Sequence, residues 1–128
     1  MHKSRIPKKE SSESAQLAET IVEGMLKNKG ANVVTLDLSK LTNAVCNYFV
    51  ICHGTSKTQV EAIADSVLDV VNKAGGGKPW HKEGFENAEW ILLDYVDVVV
   101  HIFDEDTRSF YNLESLWADA VIREIKDN

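Results

Sequence analysis

The pattern of hydrophobic and polar positions is most strand-like in the run AEWILLDYVDVVVHIF, from Ala88 to Phe103. Two apolar segments, Trp90–Leu93 and Val98–Phe103, are separated by the four residues Asp94–Asp97. Valine, isoleucine and aromatic residues favour strands, and aspartate readily hydrogen-bonds the backbone of a turn. The run therefore predicts a β-hairpin. Because its apolar segments are nearly continuous, other elements should cover both faces of at least one strand, which predicts the centre of a sheet.

Two amphipathic helices are predicted from apolar residues that recur at helical spacing. The first begins after an N-cap at Ser14 and ends at Gly30. The second begins after an N-cap at Ser56 and ends in the segment Gly75-Gly76-Gly77. In the second helix the apolar stripe is matched by charged residues on the other side, as expected for a helix packed on a sheet.

The remaining elements complete a mixed sheet. Strands are predicted at Val33–Leu38 and Tyr48–Cys52, and an edge strand at Pro79–Glu83, because proline donates no ladder hydrogen bond. One or two C-terminal helical turns capped by Asn112 are predicted from the spacing of apolar residues Leu113, Leu116, Trp117, Val121 and Ile125. The order α, β, β, α, β, β, β, α predicts a layered α/β or α+β domain with a mixed five-stranded sheet flanked by helices.

Composition and charge narrow the class of protein. At 128 residues the chain is long enough for one domain with its own core, predicted at residues 14–128 after a disordered basic tail at 1–13. The net charge is −6, but residues 1–9 carry +4, so the remainder carries −10. An acidic body argues against non-specific nucleic-acid binding and favours a basic protein partner, although the tail is a candidate phosphate contact.

Other features of the chain predict a cytoplasmic protein. The N-terminal segment lacks the apolar stretch of a secretory signal, and no apolar run approaches the roughly 20 residues that span a bilayer. The two cysteines, Cys46 and Cys52, fit free thiols in a reducing compartment.

Candidate chemistry is sparse. The segment His53-Gly54-Thr55-Ser56 joins a strand to a helix N-terminus, where an anion can bind, but it lacks the P-loop lysine and is better interpreted as a turn and cap. Asp94 and Asp97 are three residues apart across a turn, so they do not form the metal clamp of a nucleotidyltransferase. The cysteines and histidines match no structural zinc spacing, and His101 is interpreted as a sheet residue with a hydrogen-bond partner. No catalytic, cofactor or metal site is predicted.

Aromatic residues give the strongest functional indication. Trp90 stands at the entrance of a predicted strand after Glu83, Glu86 and Glu89. An aromatic side chain surrounded by acids is typical of a hot spot in a protein interface. This pattern favours an interaction protein over an enzyme.

The chain resembles the ribosomal silencing factor family, also called Iojap-like. The resemblance covers about residues 14–120 and is carried by several blocks in unbroken order. These are Tyr48–Ser56 (YFVICHGTS), Gln59, Ala62–Asp65, Glu83-Gly84, the run from Ala88 to Phe103, Arg108, Phe110–Glu114 and Leu116-Trp117. Two positions depart from the family: Asn47 stands where aspartate is common, and Val96 replaces a common glycine in the hairpin turn.

The resemblance implies a translational repressor with a nucleotidyltransferase-like fold, no enzymatic activity and no cofactor. Such a protein binds the large ribosomal subunit through its fourteenth ribosomal protein and sterically blocks joining of the small subunit. A homodimer is expected when the protein is free. The alternatives are a large-subunit assembly factor and a nucleotide-binding enzyme on the same scaffold. The predicted contact residues are Trp90, Glu83, Asp94, Tyr95 and Asp97.

Overall fold

The computed structural model describes residues 11–126. Most of the predicted basic tail, at residues 1–10, lies outside this part, as do residues 127–128. The helices are α1 (Ser11–Lys27), α2 (Lys57–Lys73), α3 (Glu105–Tyr111) and α4 (Leu113–Leu116). The strands are β1 (Ala31–Asp37), β2 (Tyr48–Gly54), β3 (His81–Glu83), β4 (Trp90–Asp94), β5 (Val98–Asp104) and β6 (Val121–Glu124). The predicted strands and the α2 helix are confirmed to within two residues at their ends. None of the helices in residues 11–126 is long and apolar enough to cross a membrane.

The six strands form one mixed sheet in the order β3-β4-β5-β2-β1-β6. Strands β2 and β5 are parallel, and the other neighbouring pairs are antiparallel. The hairpin β4–β5 is formed as predicted, and β5 lies in the middle of the sheet, whereas β4 is one strand from the edge. The predicted edge position of β3 is also confirmed. The fold class is therefore the predicted one, while the relation to nucleotidyltransferases stays a prediction.

Helices α1 and α2 cover one side of the sheet, here called the covered face. Alternate strand residues point into this layer and are completely buried, among them Ile91, Leu93, Val100 and Ile102 of the hairpin. They pack with apolar side chains of the two helices, such as Ile21, Met25, Ile63 and Val67. Burial of these side chains supplies most of the hydrophobic stabilisation.

The other side of the sheet, here called the open face, is covered only in part. It carries Trp90, Phe103 and Ile51, over which the short helices α3 and α4 bring Leu113 and Trp117. Phe49 and Val99 on this face stay partly exposed. The two faces alternate along each strand, as the pleat requires.

The hairpin turn confirms the expected role of aspartate. Asp94 Oδ1 accepts a hydrogen bond from the Val96 backbone N–H at 2.7 Å, and the Tyr95 N–H donates to the Val98 carbonyl at 2.9 Å. Val96 has a φ of 76°, in the left-handed region. A β-branched residue is strained there, which explains why a glycine suits this position.

The C-terminal prediction was wrong beyond residue 116. Only four residues, Leu113–Leu116, form a helix, and Val121–Glu124 form a sixth strand paired antiparallel with β1. Asn112 is the N-cap residue of α4, as predicted, but it has a left-handed φ of 48° and its side chain makes no cap hydrogen bond. The apolar residues were spaced as in a helix, but pairing with β1 gives hydrogen-bond partners to the backbone groups on one edge of this segment.

The N-terminal boundary also differs from the prediction. Residues 11–13 belong to α1 rather than to the tail, and Ser14 lies buried inside that helix instead of capping it. The Ser14 Oγ accepts a hydrogen bond from the Asn47 amide at 2.8 Å, which fastens α1 to the segment before β2. At the other end α1 stops at Lys27, and Gly30 follows where a Cβ would lie 3.1 Å from the Cys52 sulfur.

Candidate functional site

Trp90 lies on the open face at the start of β4 and is half-buried. Its ring packs against Phe103 at 4.9 Å and against Tyr111 at 4.7 Å between ring centroids. The indole Nε1–H donates a hydrogen bond to His101 Nδ1 at 3.1 Å. The polar atom of Trp90 is therefore used inside the molecule, and the ring face is what remains for a partner.

His101 holds this indole in place. It is buried on β5, with its ring 4.6 Å from that of Phe49 in an edge arrangement. Burial lowers the pKa of His101 to about 3, so the imidazole is neutral at physiological pH. Because Nδ1 accepts from Trp90, the proton of the neutral ring is assigned to Nε2. The expected sheet histidine with a hydrogen-bond partner is confirmed.

Helix α3 extends the aromatic surface from Trp90 into solvent. Its N-cap is Asp104, which accepts from the Thr107 N–H at 2.8 Å. The helix ends with Phe110 and Tyr111, whose rings are 5.1 Å apart and which are 81% and 50% exposed. Trp90, Tyr111 and Phe110 thus form a continuous row of rings, here called the aromatic ridge. Adjacent aromatic side chains this exposed are unusual on a monomer and mark an interaction surface.

Acidic side chains lie close to the ridge. Glu105 and Asp106 occupy the exposed first turn of α3, and Glu89 precedes Trp90. The Glu89 carbonyl accepts from the Asp104 N–H at 2.9 Å, which brings the acid before β4 to the start of α3. The three exposed residues Glu89, Glu105 and Asp106 are here called the acidic corner.

Arg108 fixes α3 to the sheet. The guanidinium is buried and forms hydrogen bonds to Glu114 at 2.7 and 3.2 Å, to the Ala31 carbonyl at 3.3 Å and to His53 Nδ1 at 3.0 Å. Since an arginine only donates, the His53 ring accepts at Nδ1 and is neutral. Burial, and then the charge of Arg108, lowers the pKa of His53. This network connects α3, α4, β1 and β2 and holds the aromatic ridge at a fixed position.

A cleft of about 650 Å³ lies beside this network, lined in part by His53, Glu105, Arg108 and Glu124. It is at the carboxyl ends of the parallel strands β2 and β5, where open α/β sheets commonly bind ligands. The charge of Arg108 is already matched by Glu114. In the part of the chain that the structure describes, no group of three or more histidine, cysteine or acidic residues could hold a metal ion.

The predicted turn and cap at the start of α2 are confirmed. Ser56 Oγ accepts from the Gln59 N–H at 3.1 Å, and the Gln59 side chain accepts from the Thr55 N–H at 2.7 Å. Side-chain oxygens thus bind two backbone donors that an anion would need. Both cysteines are buried thiols, and burial raises the pKa of Cys52 to about 12.

The five predicted contact residues are not brought together. Trp90 is at one end of β4, and Asp94 is four residues away at the other, roughly 13 Å along a strand. Tyr95 and Asp97 are buried beside Asp94, and burial raises the pKa of Tyr95 to about 12. Glu83 is exposed on β3, where its carboxylate lies 3.1 Å from His81 Nε2. Only Trp90 belongs to the aromatic ridge.

Sequence reasoning missed Tyr111 and Phe110 as surface residues. Their pattern did carry a signal, because two adjacent aromatic residues on a short helix cannot both face the core. Leu116, which is 72% exposed on α4, was also missed as a surface residue, because its spacing placed it among the apolar residues of a predicted helix.

Comparison with known proteins agrees with the fold and extends the resemblance. The family model described as "Ribosomal silencing factor during starvation" matches residues 11–128, which extends the resemblance beyond residues 14–120 at both ends. A ribosomal silencing factor of Bacillus subtilis is 42% identical over 97 residues, covering 76% of this chain and 80% of the relative. One from Halalkalibacterium halodurans is 39% identical over 111 residues, covering 87% and 93%.

A solved structure gives the same result. A crystal structure of a Chromobacterium violaceum protein superposes with a TM-score of 0.75 at 36% identity, covering 86% of this chain and 88% of that one. The family model matches nearly the whole chain, and the relatives are well above the identity at which fold and family are shared. The chain belongs to the ribosomal silencing factor family.

Proposed function

We propose that this protein is a translational repressor that binds the large ribosomal subunit through its fourteenth ribosomal protein and sterically blocks joining of the small subunit. Membership of a family named for ribosomal silencing supports a ribosomal target. The observation that carries the proposal is the aromatic ridge of Trp90, Tyr111 and Phe110 beside the acidic corner.

The aromatic ridge has the properties of an interface hot spot. Its rings are large, are held by packing and by the Trp90–His101 hydrogen bond, and lose little conformational freedom on binding. The ridge runs from Trp90, whose ring is fixed by its contacts, to Phe110, whose ring is exposed to solvent. A partner pocket that accepts these rings would exclude water from the centre of the contact.

The acidic corner supplies the electrostatic part. Ribosomal proteins are rich in lysine and arginine, so Glu89, Glu105 and Asp106 would steer the approach toward such a protein and pair with its basic side chains at the rim. Such exposed pairs act mainly on the association rate and are screened by salt. We expect the affinity to fall as ionic strength rises, and an affinity independent of salt would remove this part of the proposal.

Sedimentation tests the proposal directly. Purified large subunits are spun through a sucrose gradient with the protein, and small subunits are then added to measure joining. We expect the protein to co-sediment with large subunits and to reduce the formation of joined ribosomes. Phe110→Ala and Tyr111→Ala remove exposed rings at little cost to the fold, so both should weaken co-sedimentation while the unfolding midpoint stays near that of the parent.

A matched control is Leu116→Ala, which removes a similarly exposed apolar side chain outside the ridge. It should leave co-sedimentation unchanged. Full binding by the Tyr111→Ala and Phe110→Ala proteins would contradict the assignment of the ridge. Binding without any effect on joining would favour the alternative of a large-subunit assembly factor.

The proposed repressor acts by occupying a surface and carries out no reaction. The alternative of a nucleotide-binding enzyme requires nucleotide and Mg²⁺ to bind near Gly54–Ser56. Calorimetric titration of the protein with nucleotide and Mg²⁺ decides between the two, because binding there would contradict the purely steric mechanism. The expected homodimer is tested in the same preparations by sedimentation velocity.

A further inference from the structure

Trp80 is the most exposed of the three tryptophans and lies away from the aromatic ridge. Its side chain is 77% exposed, directly after Pro79 and before edge strand β3. The backbone is nevertheless fixed, because the Trp80 N–H donates to the Asp94 carbonyl at 2.8 Å. This contact places Trp80 at the end of β4 opposite to Trp90. A tryptophan held in this way offers a large flat surface at small conformational cost.

The indole borders a cleft of about 580 Å³ between α2 and the segment that leads into β3. One wall consists of Asp65, Leu68, Asp69 and Asn72 of α2. The other wall consists of Lys78, Pro79, Trp80, His81 and Lys82. The cleft therefore combines an exposed aromatic face, two lysines and carboxylates in one place.

The charge of this region differs from that of the whole protein. Residues 70–82 contain three lysines, one histidine and no acid, whereas the net charge of the chain is −6. Lys73 forms an ion pair with Asp69 at 3.1 Å, so these two charges cancel. The walls themselves hold two lysines and two aspartates and sum to zero. Because Lys73, which lies outside the walls, neutralises Asp69, only Asp65 remains to offset Lys78 and Lys82.

We propose that this cleft binds an unpaired RNA nucleotide. The base stacks on the Trp80 indole, Lys78 and Lys82 contact the flanking phosphates, and the Asp65 carboxylate accepts from an N–H of the base edge. The cleft holds one nucleotide or a few, because the acidic body around it repels a longer strand. The choice of RNA over DNA rests on the proposed ribosomal function. The binding of a nucleotide in the cleft does not depend on that function.

The charges favour RNA over a basic peptide. A lysine or arginine side chain of a peptide would also stack on Trp80 and pair with Asp65, but it would approach two lysines. A nucleotide satisfies both walls, since phosphate meets the lysines and a base amino group meets the carboxylate. The two ligands therefore give opposite expectations for charge reversal at Lys78 and Lys82.

Binding of a single-stranded oligoribonucleotide of about four nucleotides to the full-length protein tests the proposal. Tryptophan fluorescence should be quenched on titration, and anisotropy of a labelled oligonucleotide gives the affinity of each variant. We expect Trp80→Ala to weaken binding by about tenfold or more, which is the size of one stacking contact. Leu116→Ala, at an exposed apolar residue outside both the cleft and the aromatic ridge, should bind as the parent does.

Charge reversal supplies the second measurement. The double variant K78E/K82E should bind much more weakly and with a smaller salt dependence. K40E, at an exposed lysine in the loop after β1, should keep the affinity and the salt dependence of the parent. No quenching, or equal affinity of the Trp80→Ala and parent proteins, would overturn the proposal. So would quenching by oligolysine that K78E/K82E strengthens, or a Trp80→Ala protein that changes only from dimer to monomer.

The outcome is separable from the large-subunit experiment. If Trp80→Ala loses the oligonucleotide while the Tyr111→Ala protein keeps it, the cleft and the aromatic ridge are independent surfaces. If every variant keeps oligonucleotide binding and the parent co-sediments normally, only the proposal for the cleft is overturned. Failure of the parent to co-sediment, with oligonucleotide binding intact, would overturn the ridge alone.

Discussion

The two faces of the sheet are built from the same strands yet differ in what their residues do. On β4 the residues Ile91 and Leu93 point to the covered face and are completely buried, while Trp90, Leu92 and Asp94 point to the open face and are half-buried. One side is closed by two helices of 17 residues, and the other by two short helices of seven and four. The hairpin thus contributes alternate residues to folding and to surface recognition.

The difference between the faces also concerns polar groups. The histidines His53 and His101 are buried and both lie on the open face, where they hold Arg108 and Trp90. On the covered face the strands bury aliphatic side chains and the Cys52 thiol. An apolar layer stabilises the fold without requiring a defined orientation of each group, whereas hydrogen bonds on the open face orient the side chains that a partner meets.

Removal of a side chain from the covered face should have the largest effect on stability. Ile91→Ala leaves a cavity under α2 and should lower the free energy of unfolding by about 2–5 kcal/mol. Denaturant unfolding measures this value. The neighbouring open-face variant Leu92→Ala should cost much less, because part of that side chain is in solvent already. Equal losses in the two variants would contradict the assigned difference between the faces.

Removal of Trp90 should affect binding to the large subunit more than it affects stability. Trp90→Ala deletes the fixed end of the aromatic ridge and should weaken binding to large subunits by about 2 kcal/mol or more, roughly thirtyfold. Trp90→Phe keeps a ring but not the hydrogen bond to His101, so its affinity should lie between those of the parent and the alanine variant. Co-sedimentation at several subunit concentrations measures both. Unchanged binding of a folded Trp90→Ala protein would exclude Trp90 from the contact.

The elements that sequence reasoning predicted correctly are those whose pattern is local. The α2 stripe and the two apolar runs of the hairpin each extend over enough residues to define a period. Strand β6 was missed because Val121–Glu124 become a strand only by pairing with β1, which is more than 80 residues earlier in the chain. A helical spacing of apolar residues in a short segment does not outweigh such a pairing.

Of the residues in the aromatic ridge, only Trp90 was predicted, because the position of the others depends on contacts that are distant in sequence. Trp90 was recognisable from its place at a strand entrance. The exposure of Tyr111 and Phe110, however, depends on how Arg108 holds α3, and its hydrogen-bond partners His53 and Ala31 lie 55 and 77 residues away. Contacts over such distances are set by the packing of the whole domain. Asp94 and Asp97 are near Trp90 in sequence, but Trp90 begins the five-residue strand β4 and the two acids lie at or beyond its other end.

The open face should also respond to pH in a way that the covered face does not. Burial holds the pKa of His101 at about 3, below its usual 6.5, so the unfolded chain takes up a proton at a higher pH than the folded protein. The stabilising contribution is therefore complete above pH 6.5 and decreases as the pH falls toward 3. Between pH 6.5 and 5 this group should lower the free energy of unfolding by about 1.5 kcal/mol.

Unfolding by urea at a series of pH values measures this change. His101→Phe keeps a buried ring but has no titrating group, so its stability should vary less over the same range. Part of the slope should remain, because the pKa of His53 is also lowered by burial and by Arg108. The same slope in His101→Phe and in the parent would show that His101 does not titrate in this range.

The smallest expected effect concerns the hairpin turn that sets which residues point to each face. Val96 has a φ of 76°, where a β-branched residue is strained, so Val96→Gly should raise the free energy of unfolding by about 1 kcal/mol. Val45→Gly is the control, since Val45 is 72% exposed in a loop and its φ is not in the left-handed region. Glycine there should destabilise by about 0.5–1 kcal/mol through the added entropy of the unfolded chain. If both variants were destabilised equally, the strain at Val96 would be offset by its contacts, and the turn would hold the two faces in register through packing rather than through backbone conformation.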